Sequence, residues 1–105
     1  MSEKNYVVKI NTALSNKPFF VKIENPDMSI DRIFNEAIDT LKNTGRPLES
    51  QQLEQLYQNH QIFNSGQNIK KGDLFKDLSQ HMQSIGDNQV TVAEIDLVTS
   101  HSGGN

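Results

Sequence analysis

Apolar and polar residues alternate in two short stretches near the start of the chain. Residues 6–10 (Tyr-Val-Val-Lys-Ile) and residues 19–23 (Phe-Phe-Val-Lys-Ile) each place three apolar side chains on one side of an extended backbone. Residues 11–18 between them are largely polar, as is typical of a hairpin loop. The pattern predicts that the chain opens with a β-hairpin.

The apolar spacing changes to that of a helix after residues 25–27 (Asn-Pro-Asp). Ser29 lies where a side-chain hydroxyl can accept a hydrogen bond from the first helical turn. Gly45 and Pro47 predict that this helix ends near Asn43. The apolar residues that share one face of the predicted helix are Ile30, Ile33, Phe34, Ala37, Ile38 and Leu41.

Residues 48–61 fit either a helix or a strand. Leu53, Leu56 and Tyr57 have helical spacing, but the turn-like pair at residues 59–60 also suits the end of a strand. We predict these elements here: a strand around Leu56 and Tyr57, a short strand at Ile62 and Phe63, and a loop over residues 64–68.

Helical spacing returns after residues 72–73 (Gly-Asp) and stops before the turn-forming residues 86–88 (Gly-Asp-Asn). This pattern predicts a second short helix. The apolar residues that support it are Leu74, Phe75, Leu78 and Met82.

The last apolar stretch, residues 90–98, is rich in β-branched residues and predicts a central or near-central strand. Ala93, Ile95 and Leu97 alternate with residues that are mostly charged. If these three side chains point into the core, Val98 points outward.

Composition narrows the function classes. A chain of 105 residues forms one domain, which can bury about two-thirds of its unfolded surface without a metal or disulfide. The net charge of -3 and the scattered basic residues give no reason to expect a nucleic-acid or membrane partner. The absence of cysteine excludes disulfides and a thiol nucleophile, and no stretch has the length of a membrane span or the form of a signal peptide, so the cytoplasm is the expected compartment.

The three histidines do not predict a metal site. His60, His81 and His101 are isolated from one another and from clustered carboxylates, and no HExxH-type pattern is present. We therefore expect neither a metal ion nor a cofactor.

The order of elements ends in a polar tether, residues 99–102, followed by Gly103, Gly104 and Asn105. This order resembles the β-grasp fold of ubiquitin, whose last strand projects a tail that ends in two glycines. Leu97 lies seven residues before Gly104, as the corresponding core leucine does in ubiquitin. The resemblance implies an α+β, ubiquitin-like β-grasp domain over residues 1–98, with a flexible tail over residues 99–105. The implied sheet is mixed, has four or five strands and packs on one main helix, with a second short helix.

The chain departs from ubiquitin in two respects. Its tail carries Ser100, His101 and Ser102 where ubiquitin has arginines, which implies a dedicated activating enzyme. The segment over residues 64–88 is also longer than its ubiquitin counterpart. The resemblance is in architecture and not in close sequence similarity to eukaryotic ubiquitin. The chain therefore resembles the bacterial ubiquitin-like proteins that are encoded beside activating enzymes, conjugating enzymes and JAB-type zinc proteases, several of which are linked to phage defence.

The resemblance implies that the chain is a protein modifier and has no catalytic residue of its own. A protease would remove Asn105, and an ATP-dependent activating enzyme would adenylate the Gly104 carboxylate. The carboxylate would then pass to a partner cysteine as a thioester and finally to a lysine of a target protein as an isopeptide bond. Glycine at positions 103 and 104 suits narrow enzyme channels, because it carries no Cβ and is free in φ.

The resemblance also implies a partner-binding patch on the sheet. We expect Val98 and Leu56 to lie side by side on its outer face, with Leu14 of the first hairpin loop as a further contributor.

Two other functions fit the same elements. A sulfur carrier of the β-grasp type would also be adenylated at its terminal glycine, but such carriers normally end at Gly-Gly, and Asn105 argues against this alternative. A ubiquitin-like interaction domain that is never conjugated would use the sheet surface alone.

Overall fold

The computed structural model describes residues 5–12 and 17–99. Leu14, His101 and the residues Gly103, Gly104 and Asn105 lie outside the described residues. In the described part the fold is α+β, with one mixed sheet of six strands and two α-helices. The elements in chain order are β1 (Asn5–Thr12), β2 (Phe19–Ile23), α1 (Ile30–Asn43), α2 (Pro47–Asn59), β3 (His60–Asn64), β4 (Gln67–Ile69), a 3-10 turn (Phe75–Asp77), β5 (His81–Ile85) and β6 (Asn88–Thr99).

The strand order is β2-β1-β6-β3-β4, and β5 pairs with β6 outside this path. The predicted opening hairpin is confirmed, since β1 and β2 pair antiparallel with Val8 opposite Val21. The predicted mixed sheet is also confirmed, because β1 and β6 are parallel while the other pairs are antiparallel. The sheet has six strands rather than the predicted four or five.

Strand β6 is the central strand of the sheet, as predicted. One of its edges pairs with β1 from Val90 to Leu97. The other edge pairs first with β5 and then with β3, which leaves a short gap between the two partners. The buried Asn64 side chain closes this gap, since its Nδ2 donates to the Glu94 carbonyl at 2.9 Å and its Oδ1 accepts from the Ser79 amide at 2.7 Å.

Helix α1 begins and ends as the sequence predicts. The Ser29 hydroxyl accepts from the Arg32 amide at 3.2 Å, which satisfies one free donor of the first turn. At the other end Gly45 has a φ of 82°, and the Arg46 amide donates back to the Leu41 carbonyl at 2.9 Å. This is the left-handed termination that glycine favours. All six residues of the predicted apolar face are buried.

The predicted strand around Leu56 and Tyr57 is wrong, because both residues belong to α2. Pro47 does not merely end the preceding helix but begins the next one, where its missing N–H costs nothing. The helical spacing of Leu53, Leu56 and Tyr57 places all three in the core against α1 and the sheet. The predicted short strand at residues 62–63 is confirmed as part of β3.

The predicted helix over residues 74–82 is also wrong. Phe75 and Leu78 are buried, but only a single 3-10 turn forms there. Met82 lies on β5 with 63% of its surface exposed, so it does not extend an apolar helical face. The positive φ of Gly86, 62°, turns the chain from β5 into β6. The predicted loop over residues 64–68 is a tight turn at Ser65 and Gly66 that leads into β4.

The main core lies between one face of the sheet and the two helices. Alternate residues of β1 and β6 point into it and meet the apolar faces of α1 and α2. Its fully buried residues, with no measurable exposure, are Val8, Ile10, Ile30, Ile33, Phe34, Leu53, Phe75, Ala93 and Ile95.

Candidate functional site

The predicted conjugation and cleavage residues Gly103, Gly104 and Asn105 lie outside the described residues, so their roles stay predictions. Strand β6 reaches Thr99, four residues before Gly103. The tail is thus attached directly to the central strand of the sheet.

The structure does not assemble the predicted partner-binding patch. Leu56 is 7% exposed and lies on α2 beneath the sheet, so its place in the patch is wrong. Val98 does point outward, with 44% of its surface exposed. Its neighbour across the strand pair is Gln61 of β3. Leu14, the third member, lies outside the described residues.

The face of the sheet that carries Val98 is opposite the main core, and we call it the open face. Because Ala93, Ile95 and Leu97 point into the core, the even-numbered residues of β6 lie on the open face. Val92 is the most buried of these, at 2% exposure, between Val7 of β1 and His81 of β5. The open face is therefore a mixed surface and not purely polar.

A polar cluster occupies the middle of the open face. The Asn11 side-chain amide donates to Glu94 Oε1 at 3.1 Å and to Asp96 Oδ1 at 2.9 Å. Lys9 Nζ lies 3.6 Å from Glu94 Oε1. Two carboxylates share one amide and one ammonium, so the centre of the face carries net negative charge. This cluster was not predicted, although the alternation of Glu94 and Asp96 along one strand was visible in the sequence.

Apolar side chains flank the cluster. Phe20 of β2 is paired with Lys9 and is 63% exposed, and Phe63 of β3 is paired with Asp96 and is half-buried. Val98 lies two residues beyond Asp96 on the same face. An acidic centre with apolar neighbours suits a partner surface that presents a basic side chain among apolar ones.

The most perturbed titratable group lies away from this face, where α1 meets α2. The Tyr57 hydroxyl donates to Asp31 Oδ1 at 2.9 Å, and its ring stacks on Phe34 with centroids 4.2 Å apart. Burial raises the pKa of Tyr57, and the adjacent Asp31 carboxylate raises it further. Lys71 Nζ lies 4.5 Å from the centroid of the same ring. The phenol of Tyr57 is held protonated, and its partner is the Asp31 carboxylate of α1. This hydrogen bond joins the two helices and does not present an acid-base pair to a cleft.

The two histidines in the described ranges, His60 and His81, are not brought together. His60 is paired with Thr99 and His81 with Val92, so seven residues of β6, roughly 23 Å, separate their positions. No group of three or more potential metal ligands occurs among residues 5–12 and 17–99. No helix in the same residues has the length and apolar character needed to cross a membrane.

Comparison with known proteins does not assign this geometry to a family. No protein-family model matches the chain, no curated protein matches it, and no solved structure matches it.

Proposed function

We propose that this chain is a ubiquitin-like modifier of the β-grasp type, which is cleaved after Gly104 and joined through that carboxylate to lysines of target proteins. The observation that carries the proposal is the strand order β2-β1-β6-β3-β4, with a helix crossing between the opening hairpin and β3. This order is compatible with a β-grasp fold. It makes the last strand central and leads it directly to the two glycines.

The spacing between sheet and glycines supports the proposal. Gly104 is the fifth residue after Thr99, and a segment of that length spans at most about 17 Å when extended. This length allows an enzyme channel to reach Gly104 while the folded domain stays outside. Cleavage after Gly104 frees the same carboxylate whatever residues follow it.

The proposed chemistry belongs to partner enzymes. In the proposed sequence the Gly104 carboxylate attacks the α-phosphate of ATP and releases pyrophosphate, so an acyl-adenylate forms. A partner thiolate displaces AMP, and a target lysine then displaces the thiolate to form the isopeptide bond. The proposed partners are therefore an activating enzyme, a conjugating enzyme, a JAB-type zinc protease and the target proteins.

The proposal also assigns a use to the open face. A modifier that travels between enzymes needs a surface that each of them can bind, and Val98 with the cluster of Asn11, Glu94 and Asp96 supplies one of mixed character. The same face favours the second candidate, an interaction domain that is never conjugated. Only the chemistry at Gly104 separates the two candidates.

Expression of an N-terminally tagged chain in its native host, followed by capture under denaturing conditions and mass spectrometry, tests the proposal. No lysine or arginine follows Lys76, so trypsin would leave the long remnant of residues 77–104 on a target lysine. The Ser102→Arg variant shortens that remnant to Gly103-Gly104, which standard peptide searches detect. We expect this remnant on target lysines, and its loss when Gly104→Ala is added.

The other outcomes separate the alternatives. An intact chain that keeps Asn105 and forms no conjugates supports the interaction domain and contradicts the proposal. A chain that ends at Gly104 with one oxygen replaced by sulfur supports the sulfur carrier. Equal conjugation of wild type and Gly104→Ala would place the reactive group elsewhere.

A further inference from the structure

Strand β5 forms an edge of the sheet that is separate from the edges at β2 and β4. Among the described strands, β5 pairs with β6 alone. No further main-chain hydrogen bond joins residues 81–85 to the part of the chain that the structure describes. The side chains from His81 to Ser84 are all exposed. Within the described ranges, one long edge of β5 is therefore open to solvent.

The turn between β5 and β6 fixes which main-chain groups lie on this open edge. Ile85 is paired with Asn88 across a two-residue turn, so the main-chain groups of these two residues bond to each other. Hydrogen-bonded and non-hydrogen-bonded pairs alternate along an antiparallel ladder, and Met82 and Ser84 fall in pairs of the second kind. The N–H and C=O groups of Met82 and Ser84 therefore point away from β6.

The three edges of the described sheet differ in the residues that oppose pairing with another chain. Strand β2 carries Lys22 and is preceded by Pro18. Strand β4 has only three residues and is followed by Lys70 and Lys71. Lysine, proline and short length at a sheet edge all oppose the addition of a strand. Strand β5 has five residues and contains no lysine, arginine, acidic residue or proline, so it is the least protected of these edges.

The sequence of β5 is complementary to itself. In an antiparallel pair of two β5 strands centred on Gln83, Met82 lies opposite Ser84 of the second copy. The outward main-chain groups of Met82 and Ser84 then bond to each other on both sides of the centre. At the centre the two Gln83 side chains face each other, and an amide can both donate and accept. No like charges from acidic residues, lysine or arginine meet along this pair.

The outer end of the β5–β6 hairpin also gains from an added strand. Asn88 and Gln89 of β6 pair with β5, whereas the described pairing of β6 with β1 begins at Val90. This end of the hairpin is therefore two-stranded in the described ranges. A two-stranded ribbon is marginally stable in water, and three or more strands are more stable. A second copy would supply the missing neighbour.

We propose that this chain forms a two-fold symmetric dimer by antiparallel pairing of β5 with β5 of a second copy. The two six-stranded sheets then join into one continuous sheet. Strand β6 of one copy runs antiparallel to β6 of the other, so the two Thr99 ends lie at opposite ends of the joined sheet. This inference goes beyond the proposed modifier function and does not depend on chemistry at Gly104.

Sedimentation of the full chain over a range of concentrations tests whether the dimer forms. The mass should rise from the 11.9 kDa of one chain towards twice that value between about 10 μM and about 1 mM, because a single strand pair gives a small interface. Backbone amide resonances should shift with concentration mainly in residues 81–85. A mass that stays at one chain up to about 1 mM contradicts the proposal, as do shifts confined to β2 or to the open face.

The absence of cysteine from the chain allows a direct test of the register. Gln83→Cys would place the two introduced thiols opposite each other, within the Cα separation that a disulfide needs. Mild oxidation should convert this variant to a cross-linked dimer. Gln55→Cys, at an exposed position of α2, is the matched control and should cross-link at least about tenfold more slowly. Equal rates would overturn the pairing through β5.

Charged substitutions at the outward positions of β5 test the pairing without a covalent bond. Met82→Lys with Ser84→Lys, and Met82→Glu with Ser84→Glu, should each weaken self-association about tenfold, because like charges then face each other. An equimolar mixture of the two double variants should form a mixed dimer, since each introduced ammonium lies opposite an introduced carboxylate. The same exchanges at the exposed residues Gln51 and Gln55 of α2 should have neither effect. A mixture of folded double variants that stays monomeric would contradict the antiparallel pairing of β5.

Discussion

Helices α1 and α2 cover the same face of the sheet, but they are held in different ways. Helix α1 carries its own boundary signals, with the Ser29 hydroxyl at its start and Gly45 after its end. Helix α2 starts at Pro47, and the side chain of its N-cap residue, Arg46, makes no capping hydrogen bond. The first turn of α2 leaves 74% of Leu48 exposed. Helix α1 is thus specified locally, whereas α2 depends more on what it contacts.

Contacts with α1 hold α2 in place. The Ser50 hydroxyl donates to the Ile38 carbonyl at 2.7 Å, and the Tyr57 hydroxyl donates to Asp31 at 2.9 Å. The Tyr57 ring also stacks on Phe34. A helix with weak boundary signals therefore forms where a neighbouring helix offers acceptors and an apolar surface.

The largest effect should come from truncating the fully buried residues of both helices. We expect Ile33→Ala on α1 and Leu53→Ala on α2 each to lower the free energy of unfolding by about 2 to 5 kcal/mol, because each removes buried methyl groups and leaves a cavity. Urea unfolding measures both. Leu48→Ala on the exposed side of α2 is the control and should change stability by less than about 0.5 kcal/mol. A small effect of Leu53→Ala would mean that α2 does not dock as described.

The next effect should come from the contact that joins the helices. Tyr57→Phe keeps the ring but removes the hydrogen bond to Asp31, and we expect a loss of about 1 to 2 kcal/mol. A double-mutant cycle with Asp31→Asn measures the coupling between the two side chains. Additive effects would show that the hydrogen bond does not hold α2.

The same residue predicts a pH dependence. The folded chain keeps the Tyr57 proton above the ordinary pKa of 10.0, whereas the unfolded chain releases it. The stabilisation that results is fully present below pH 10. Above pH 10 its loss lowers the free energy of unfolding by at most about 1.4 kcal/mol per pH unit. Unfolding of wild type and Tyr57→Phe between pH 9 and 11 tests this, since the variant should lose less stability.

Removal of the N-cap side chain should have a smaller effect on stability, and this effect should be larger for α1 than for α2. Ser29→Ala removes the cap of α1 and should cost about 1 kcal/mol. Arg46→Ala at the matching position of α2 removes only an exposed ion pair with Glu49 and should cost at most about 0.5 kcal/mol. Thermal unfolding of both variants measures the difference, and equal costs would contradict the contrast between the helices.

The smallest effect on stability is expected on the open face. Val98→Ala should change the free energy of unfolding by less than about 0.5 kcal/mol and weaken binding of a partner that uses this face. Leu56→Ala, buried on α2, should instead cost about 2 kcal/mol or more. Chemical denaturation of the two variants tests which of these residues is truly outward.

The sequence predicted the elements whose signals are local and mutually consistent. Helix α1 has a cap, a full apolar face and a glycine stop, and β6 has a long β-branched alternation. Helix α2 was missed because Leu53, Leu56 and Tyr57 cover barely more than one turn, which a strand also accommodates, and because Pro47 was interpreted only as a stop.

The β5–β6 hairpin was missed for a different reason. Met82 completed an apparent helical spacing with Leu74 and Leu78, but tertiary packing does not bury it. The two-residue turn at Gly86 and Asp87 was the available signal, because glycine in the first turn position is typical of tight hairpins.

Among the residues of the predicted partner-binding patch, alternation along β6 placed Val98 on the correct face. Leu56 was placed wrongly, because it was assigned to a strand and lies in α2. The cluster of Asn11, Glu94 and Asp96 joins two strands that lie more than eighty residues apart in the chain. Only the parallel register of β1 and β6 brings these side chains together, and a single sequence does not reveal that register.

The parallel pairing of β1 and β6 also has a mechanical consequence. A pull on the C-terminal end of β6, opposed by a hold on the N-terminal end of β1, would load the eight residue pairs from Asn5 and Val90 to Thr12 and Leu97 in shear. Hydrogen bonds between these strands would then have to break together and not one after another as in a zipper. An unfolding motor that pulls from the glycine end, with the N-terminal end of β1 held, would therefore have to break this pairing in shear.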